Sequence, residues 1–156
     1  MISWRTYQNG DIACIGGRDP DPFAGWLEYV EENVRGAVTV LLDGQPVAVS
    51  GCMSVWDGVA DCFAVVDRDK AAGHGRLITR LLRARMLQAM AVLGIHRMQS
   101  TASVQDRAAQ VFLRAIGLRQ ESIMRQGAPD RTDLIVFAIL GAQDHDDQAK
   151  KEHQEN

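Results

Sequence analysis

Apolar and polar positions change period several times along this chain, and each change marks an element. Phe23, Trp26, Leu27 and Val30 recur at three- and four-residue steps, the stripe of a helix running to about Asn33. Asp21 would cap that helix and Pro22 would occupy its first position. Residues 37–42 and 46–55 read as strands joined by Asp43-Gly44, a strong hairpin signal. Residues 59–66 return after Trp56-Asp57-Gly58, so three strands form a meander. The helical period then resumes over residues 76–93. Leu77, Leu81, Ala84, Met86, Leu87 and Met90 supply its core face, and Gly94 ends it. Residues 95–101 alternate as a strand, and residues 106–116 form a helix closed by Gly117. Two strands follow, 118–125 and 133–140, joined through Gly127-Ala128-Pro129-Asp130. Residues 1–18 are weakly patterned; within them residues 11–15 read as a short strand.

Strands dominate early and alternate with helices later. This order predicts an α+β fold: a mixed, mostly antiparallel twisted sheet with flanking helices and one parallel pair near the centre. The length of 156 residues suits one domain. We assign residues 1–141 to it and residues 142–156 to an acidic tail. The tail holds five acids and two lysines, which equals the formal net charge of −3 for the whole chain. With no aliphatic residue larger than alanine, the tail reads as a solvated extension. The balanced body carries no broad basic footprint for nucleic acid. No apolar run approaches a membrane span, and the N-terminus lacks an apolar signal segment, so the expected location is the cytoplasm. Cys14, Cys52 and Cys62 match no metal-ligand spacing. If Trp56-Asp57-Gly58 is a three-residue loop, Cys52 and Cys62 face each other across the hairpin, which permits a disulfide without requiring one.

The chemistry concentrates in residues 67–76, between a strand and a helix. A glycine-rich turn that opens a helix presents outward N–H groups and the positive end of the helix dipole to an anion. Gly73 and Gly75 leave no Cβ in the way of a phosphate. A nucleotide P-loop requires Lys and then Ser or Thr after its last glycine, whereas Gly75 is followed by Arg76 and Leu77. A dinucleotide fingerprint requires a third glycine where Ile78 stands. Lys70 is one of three lysines against fourteen arginines, and the other two lie in the tail. It therefore places the one lysine of the body at the basic position of the loop.

The pattern Lys70-x-x-Gly73-x-Gly75 resembles the pyrophosphate loop of the GCN5-related N-acetyltransferases. The segment from Asp106 to Leu118, with Ala109, Phe112, Leu113 and Gly117, resembles that family's later motif. The two lie in the family's order, and the likeness covers roughly residues 36–140. It implies acetyl-CoA as cosubstrate, lying where two central strands splay apart. The pantetheine arm would pair with Ala64, Val65 and Val66, and an N–H near Val65 would polarise the thioester. The pyrophosphate would sit on the amides of Ala71, Ala72, Gly73, His74, Gly75 and Arg76, beside Lys70. Ser103 and Asp106 stand where the family contacts CoA. Asp61, on the strand before the loop, is the candidate base, and His96, at the start of the next strand, is a further candidate. The family's usual acid, a Tyr after Phe112, is Leu113 here. The resemblance thus implies an acyl-CoA-dependent N-acyltransferase acting on an unidentified amine. The alternative is a non-catalytic interaction module. The same run with Leu also resembles acetyltransferase-like proteins of tailed phages, which implies a virion partner. In similar proteins the last strands often mediate a homodimer.

Overall fold

Two tight hairpins set the register of the sheet. Strand β2 (Val34–Leu42) turns into β3 (Gln45–Trp56) through Asp43 and Gly44, both at positive φ (50° and 82°). That conformation is the type I′ turn, whose twist matches the strands it joins. β3 passes into β4 (Val59–Val66) at Asp57-Gly58, with an irregularity between Ser54 and Trp56. Gly58 is held at φ 70°, and a Cβ there would come within 2.2 Å of His96 Nδ1. The Gly58 carbonyl accepts from the amides of His96 and Arg97, which ties the start of the next strand to this hairpin.

The computed structural model describes residues 1–16 and 25–141, with only the backbone of Trp26 and Leu27. The remaining elements are β1 (Ile2–Thr6), a 3-10 turn (Ile12–Cys14), α1 (Trp26–Asn33), α2 (Gly75–Leu93), β5 (Arg97–Ser103), α3 (Arg107–Ala115), β6 (Arg119–Met124) and β7 (Leu134–Leu140). The seven strands lie in the order β1-β2-β3-β4-β5-β7-β6. Every neighbouring pair is antiparallel except β4–β5. The α+β expectation, with its single parallel pair, therefore holds.

α2 and α3 pack on one side of the sheet. Met86 and Met90 meet Met98, Phe137 and Leu118, while Ile78 and Leu82 meet Val38, Val40 and Val47. On the other side Val30 of α1 joins Ile12, Ile15 and Val49. The buried line of α2 is Ile78, Leu82, Met86 and Met90, one residue out of phase with the expected Leu77 and Leu81. Leu77 is exposed and Leu81 half-buried. Paired apolar residues (Leu77-Ile78, Leu81-Leu82, Met86-Leu87) give the helix two workable stripes, and packing against the sheet selects one. Residues 11–15 are a 3-10 turn rather than a strand. The strand lies earlier, at Ile2–Thr6, where pairing with β2 compensates for weak alternation. Asp21, Pro22 and Phe23 lie outside the described residues, as does the tail. Cys52 and Cys62 are register partners as expected, and both thiols are free.

A buried carboxylate fastens β1 to the 3-10 turn. Asp11 accepts from Arg5 at 2.7 and 2.8 Å, from Thr39 Oγ1 at 2.5 Å and from the Gln8 amide at 3.0 Å. Burial opposes its charge, but these donors outweigh burial and hold its carboxyl below the ordinary range.

Two outcomes follow. Asp11→Ala should lower stability by about 2–3 kcal/mol, because it strands Thr39 and Arg5. A carboxyl depressed in the folded state contributes its full stability above the unfolded value, so the wild-type advantage over Asp11→Ala should vanish as pH falls below about 3.9; urea melts across pH 2–7 measure it. Gly58→Ala should cost about 2–4 kcal/mol in the same assay, from left-handed backbone strain plus the clash with His96.

Candidate active site

The central parallel pair is short. β4 and β5 are in register only at Val59–Arg97, Ala60–Met98 and Asp61–Gln99. Beyond those residues the strands diverge, while β4 stays paired to β3 as far as Val66. The result is a cleft with its vertex at Asp61 and Gln99. Ser50, Cys62, Ala64, Ser100, Phe112 and Leu113 line it on the α2–α3 side.

Which backbone groups face this cleft follows from the ladder. The Asp67 amide donates to Val47 O, which makes Asp67 and Val47 a hydrogen-bonded pair. Hydrogen-bonded and non-bonded pairs alternate in an antiparallel ladder. Val65 therefore turns its N–H and C=O toward β3, and Ala64 and Val66 turn theirs toward the cleft. This corrects the expectation for Val65: its amide is committed to Val49 and cannot polarise a thioester in the cleft. Ala64 and Val66 are the residues with backbone groups to offer an extended ligand.

The glycine loop stands at the mouth, where β4 ends and α2 begins. Asp67, buried, shapes it by accepting from the Lys70 amide at 3.0 Å, with Lys70 Nζ at 3.3 Å. The Lys70 amide holds the Asp67 carboxyl below its ordinary range against burial, helped by the Lys70 ammonium. Lys70 is thus first a partner of Asp67. The amides of Ala71, Ala72 and His74 donate to Asp67 O, Asp69 O and Ala71 O, so these turns consume them. The expected cradle of residues 71–76 narrows to the amides of Gly73, Gly75 and Arg76. Gly73 requires its positive φ of 79°. A Cβ at Gly73 or at Gly75 would meet nothing within 4 Å, so open space lies before both. Arg76 and Arg80 are exposed on the first turns of α2. His74 places Nδ1 3.1 Å from Ala72 O and precedes the helix.

Asp106 caps α3, accepting from the Ala109 amide at 2.9 Å. Its other oxygen lies 3.8 Å from Arg68 Nη2, which links the β4 side of the mouth to the β5 side. Ser103 Oγ accepts from the Gln105 amide in the turn leading to Asp106. Leu113 is buried in the core with Met98 and Phe137. No hydroxyl replaces the absent Tyr at that position. Cys62 stands at the vertex, but burial, reinforced by Cys52 and Asp61, pushes its thiol up to about 12, which keeps it protonated and unreactive. His96 lies at the opposite end of β5, packed on Gly58, and does not join the site.

Asp61 is half-buried on the face opposite α2, opposite Met53 and beside Gln99. A neighbouring pair escaped sequence reasoning. Arg97 donates to Glu121 at 2.6 and 3.1 Å, and its Nε donates to Gln99 at 2.9 Å. These residues come from β5 and β6, which β7 separates, so no local spacing announces them.

No family model matches the chain, and no curated protein matches its sequence. Solved structures do. A GNAT-family acetyltransferase from Bacillus anthracis superposes with a TM-score of 0.70 at 15% identity, covering 89% of this chain and 94% of its own. The ribosomal-protein-S18-alanine N-acetyltransferase from Escherichia coli gives 0.68 at 18% identity, covering 92% and 98%. The yncA protein from Salmonella typhimurium, determined with its cofactor acetyl-CoA, gives 0.63 at 16% identity, covering 89% and 93%. The chain therefore has the fold of the GCN5-related N-acetyltransferases.

Proposed function

We propose that the protein is an acyl-CoA-dependent N-acyltransferase, using acetyl-CoA to acetylate an amine. The observation that carries this reading is the coincidence of two features: pairing between β4 and β5 that stops at Asp61–Gln99, and open amides at Gly73, Gly75 and Arg76 directly above the gap. An extended pantetheine arm would add to β4 through Ala64 and Val66, like a strand completing a sheet. The diphosphate would lie on the three amides at the positive end of α2, with Arg76 and Lys70 as neighbouring charges. The acyl group then reaches the vertex, on which the Asp61 carboxylate borders.

Transfer requires that the amine lose a proton and attack the thioester carbon. Asp61 is the base, directly or through one water. The leaving thiolate takes its proton from water, since Leu113 has none to give. The burial of Leu113 also supports a second reading, a CoA-binding module without turnover, and the experiments separate the two.

Acetyl-CoA at about one hundred times its Kd should raise Tm by about 5–10 °C. Gly75→Glu should abolish that rise, because its side chain fills the open space before the amides and repels the diphosphate; no rise in the wild type contradicts acyl-CoA binding. Thiol release in the presence of an amine panel reports turnover. Asp61→Asn should reduce it about a hundredfold or more while leaving the acetyl-CoA shift intact. A shift without amine-dependent thiol release would favour the module.

A further inference from the structure

Beyond β4 the face opposite α2 changes character. α1 and the 3-10 turn cover β3 and β4 there through Val30, Ile12 and Ile15. No described helix covers the same face of β5, β7 and β6. Arg97, Gln99 and Thr101 stand on it beside Ala138 and Val136. An irregularity between Gln120 and Ser122 inserts Glu121 into β6 as an extra residue, and such a bulge re-aims a side chain. Its carboxylate reaches back past β7 and takes both terminal nitrogens of Arg97. With Nε on Gln99, each of the three guanidinium nitrogens has an acceptor. Both groups are ionised: the bond to Glu121 raises Arg97, and the bond from Arg97 lowers Glu121.

Asp61 lies beside this pair, near enough that its charge also raises Arg97. Yet among the described residues no hydrogen bond or ion pair engages the Asp61 carboxylate. The three groups sum to one negative charge, and the unpartnered one sits at the cleft vertex. A half-buried carboxylate without a partner is costly unless a cation or water completes it.

We infer that this face binds an ammonium group that has no carboxylate beside it, with Asp61 as its counter-ion and Glu121 as a specificity-determining residue. The inference rests on the acyl-transfer reading for the position of the thioester. An ammonium satisfies Asp61. A free amino acid brings its own carboxylate as well, and the Arg97 fork beside Asp61 is already filled by Glu121; Arg119, on the same face, lies further away, beyond β7 on β6. Asp61 and Glu121 both repel it. The flanking Met53 and Phe63 offer apolar contact to the body of the amine. In the reaction the ammonium gives one proton to Asp61. The nitrogen lone pair forms the C–N bond, and the C–S bond breaks with its electron pair leaving on sulfur. The thiolate is then protonated, and the nitrogen sheds its second proton to solvent. The product amide is neutral, which removes the ion pair with Asp61 and favours release.

Phenethylamine and phenylalanine differ by the carboxylate alone, and calorimetric titration of the full chain without acetyl-CoA compares them. The wild type should bind the amine at least about tenfold more tightly than the amino acid. Glu121→Gln frees the Arg97 fork and should shrink that ratio by improving phenylalanine. Asp61→Asn should lose the amine, and both variants should stay folded, melting cooperatively within a few degrees of the wild type. Equal affinities in the wild type, an unchanged ratio in Glu121→Gln, or no amine binding at millimolar concentration would overturn the inference. The acetyl-CoA melting shift reports the transfer reading separately, so a shift that persists while the preference fails sinks this inference alone.

Discussion

The early end of the β4–β5 ladder is the constraint on which the rest of the molecule depends. Parallel pairing holds for three residues at the hairpin end, where Gly58 accepts from His96 and Arg97, and then stops. Above that point the two strands are held apart by what they join. β4 remains bonded to β3 up to Val66, and β5 remains bonded to β7 up to Ser103. Each half of the sheet is an antiparallel unit, and α2 packs across both. The backbone groups of Ala64 and Val66 are consequently left without the strand that would normally satisfy them, and such groups demand partners. In the proposed reading an extended ligand would supply them, and the loop above would add three more donors. The cleft is therefore a consequence of register, with the glycine loop placed at its mouth because α2 must start where β4 ends.

Carboxylates play two distinct parts here. Asp11, Asp67, Asp106 and Asp133 each accept backbone or side-chain donors and so shape turns and caps. Their charges are spent on the fold. Asp61 differs from these four: it lies at the vertex with no hydrogen bond or ion pair among the described residues, while Glu121 is tied to Arg97 beside it. Leu113 completes the contrast. The position that supplies a hydroxyl in the resembling family here supplies packing to the core. The chemistry proposed for the cleft accordingly rests on backbone donors and one acid.

Much of the fold was legible because its signals are local. Asp43-Gly44 dictates a type I′ hairpin, Gly94 and Gly117 sit in left-handed conformations that end helices, and the run 59–66 emerged as a strand with unchanged bounds. β1 was missed because an edge strand needs little alternation when its partner supplies the ladder. The phase of α2 was misjudged because doubled apolar residues leave the choice to tertiary packing. In the site, the glycine loop was legible and its detail was not. Whether an amide is free depends on turns closed by Asp67 O, Asp69 O and Ala71 O, which spacing does not reveal. The parity that turns Val65 away from the cleft depends on the register with β3. Arg97 and Glu121 meet across an intervening strand, through a bulge that no motif encodes.

A crystal of the full chain grown with acetyl-CoA tests the central claim most directly. The account predicts diphosphate density within hydrogen-bonding distance of the Gly73, Gly75 and Arg76 amides, and a pantetheine arm bonded to Ala64 and Val66 between the diverging strands. Density for the ligand elsewhere, or β4 and β5 paired beyond Asp61 and Gln99 with the cleft closed, would contradict it.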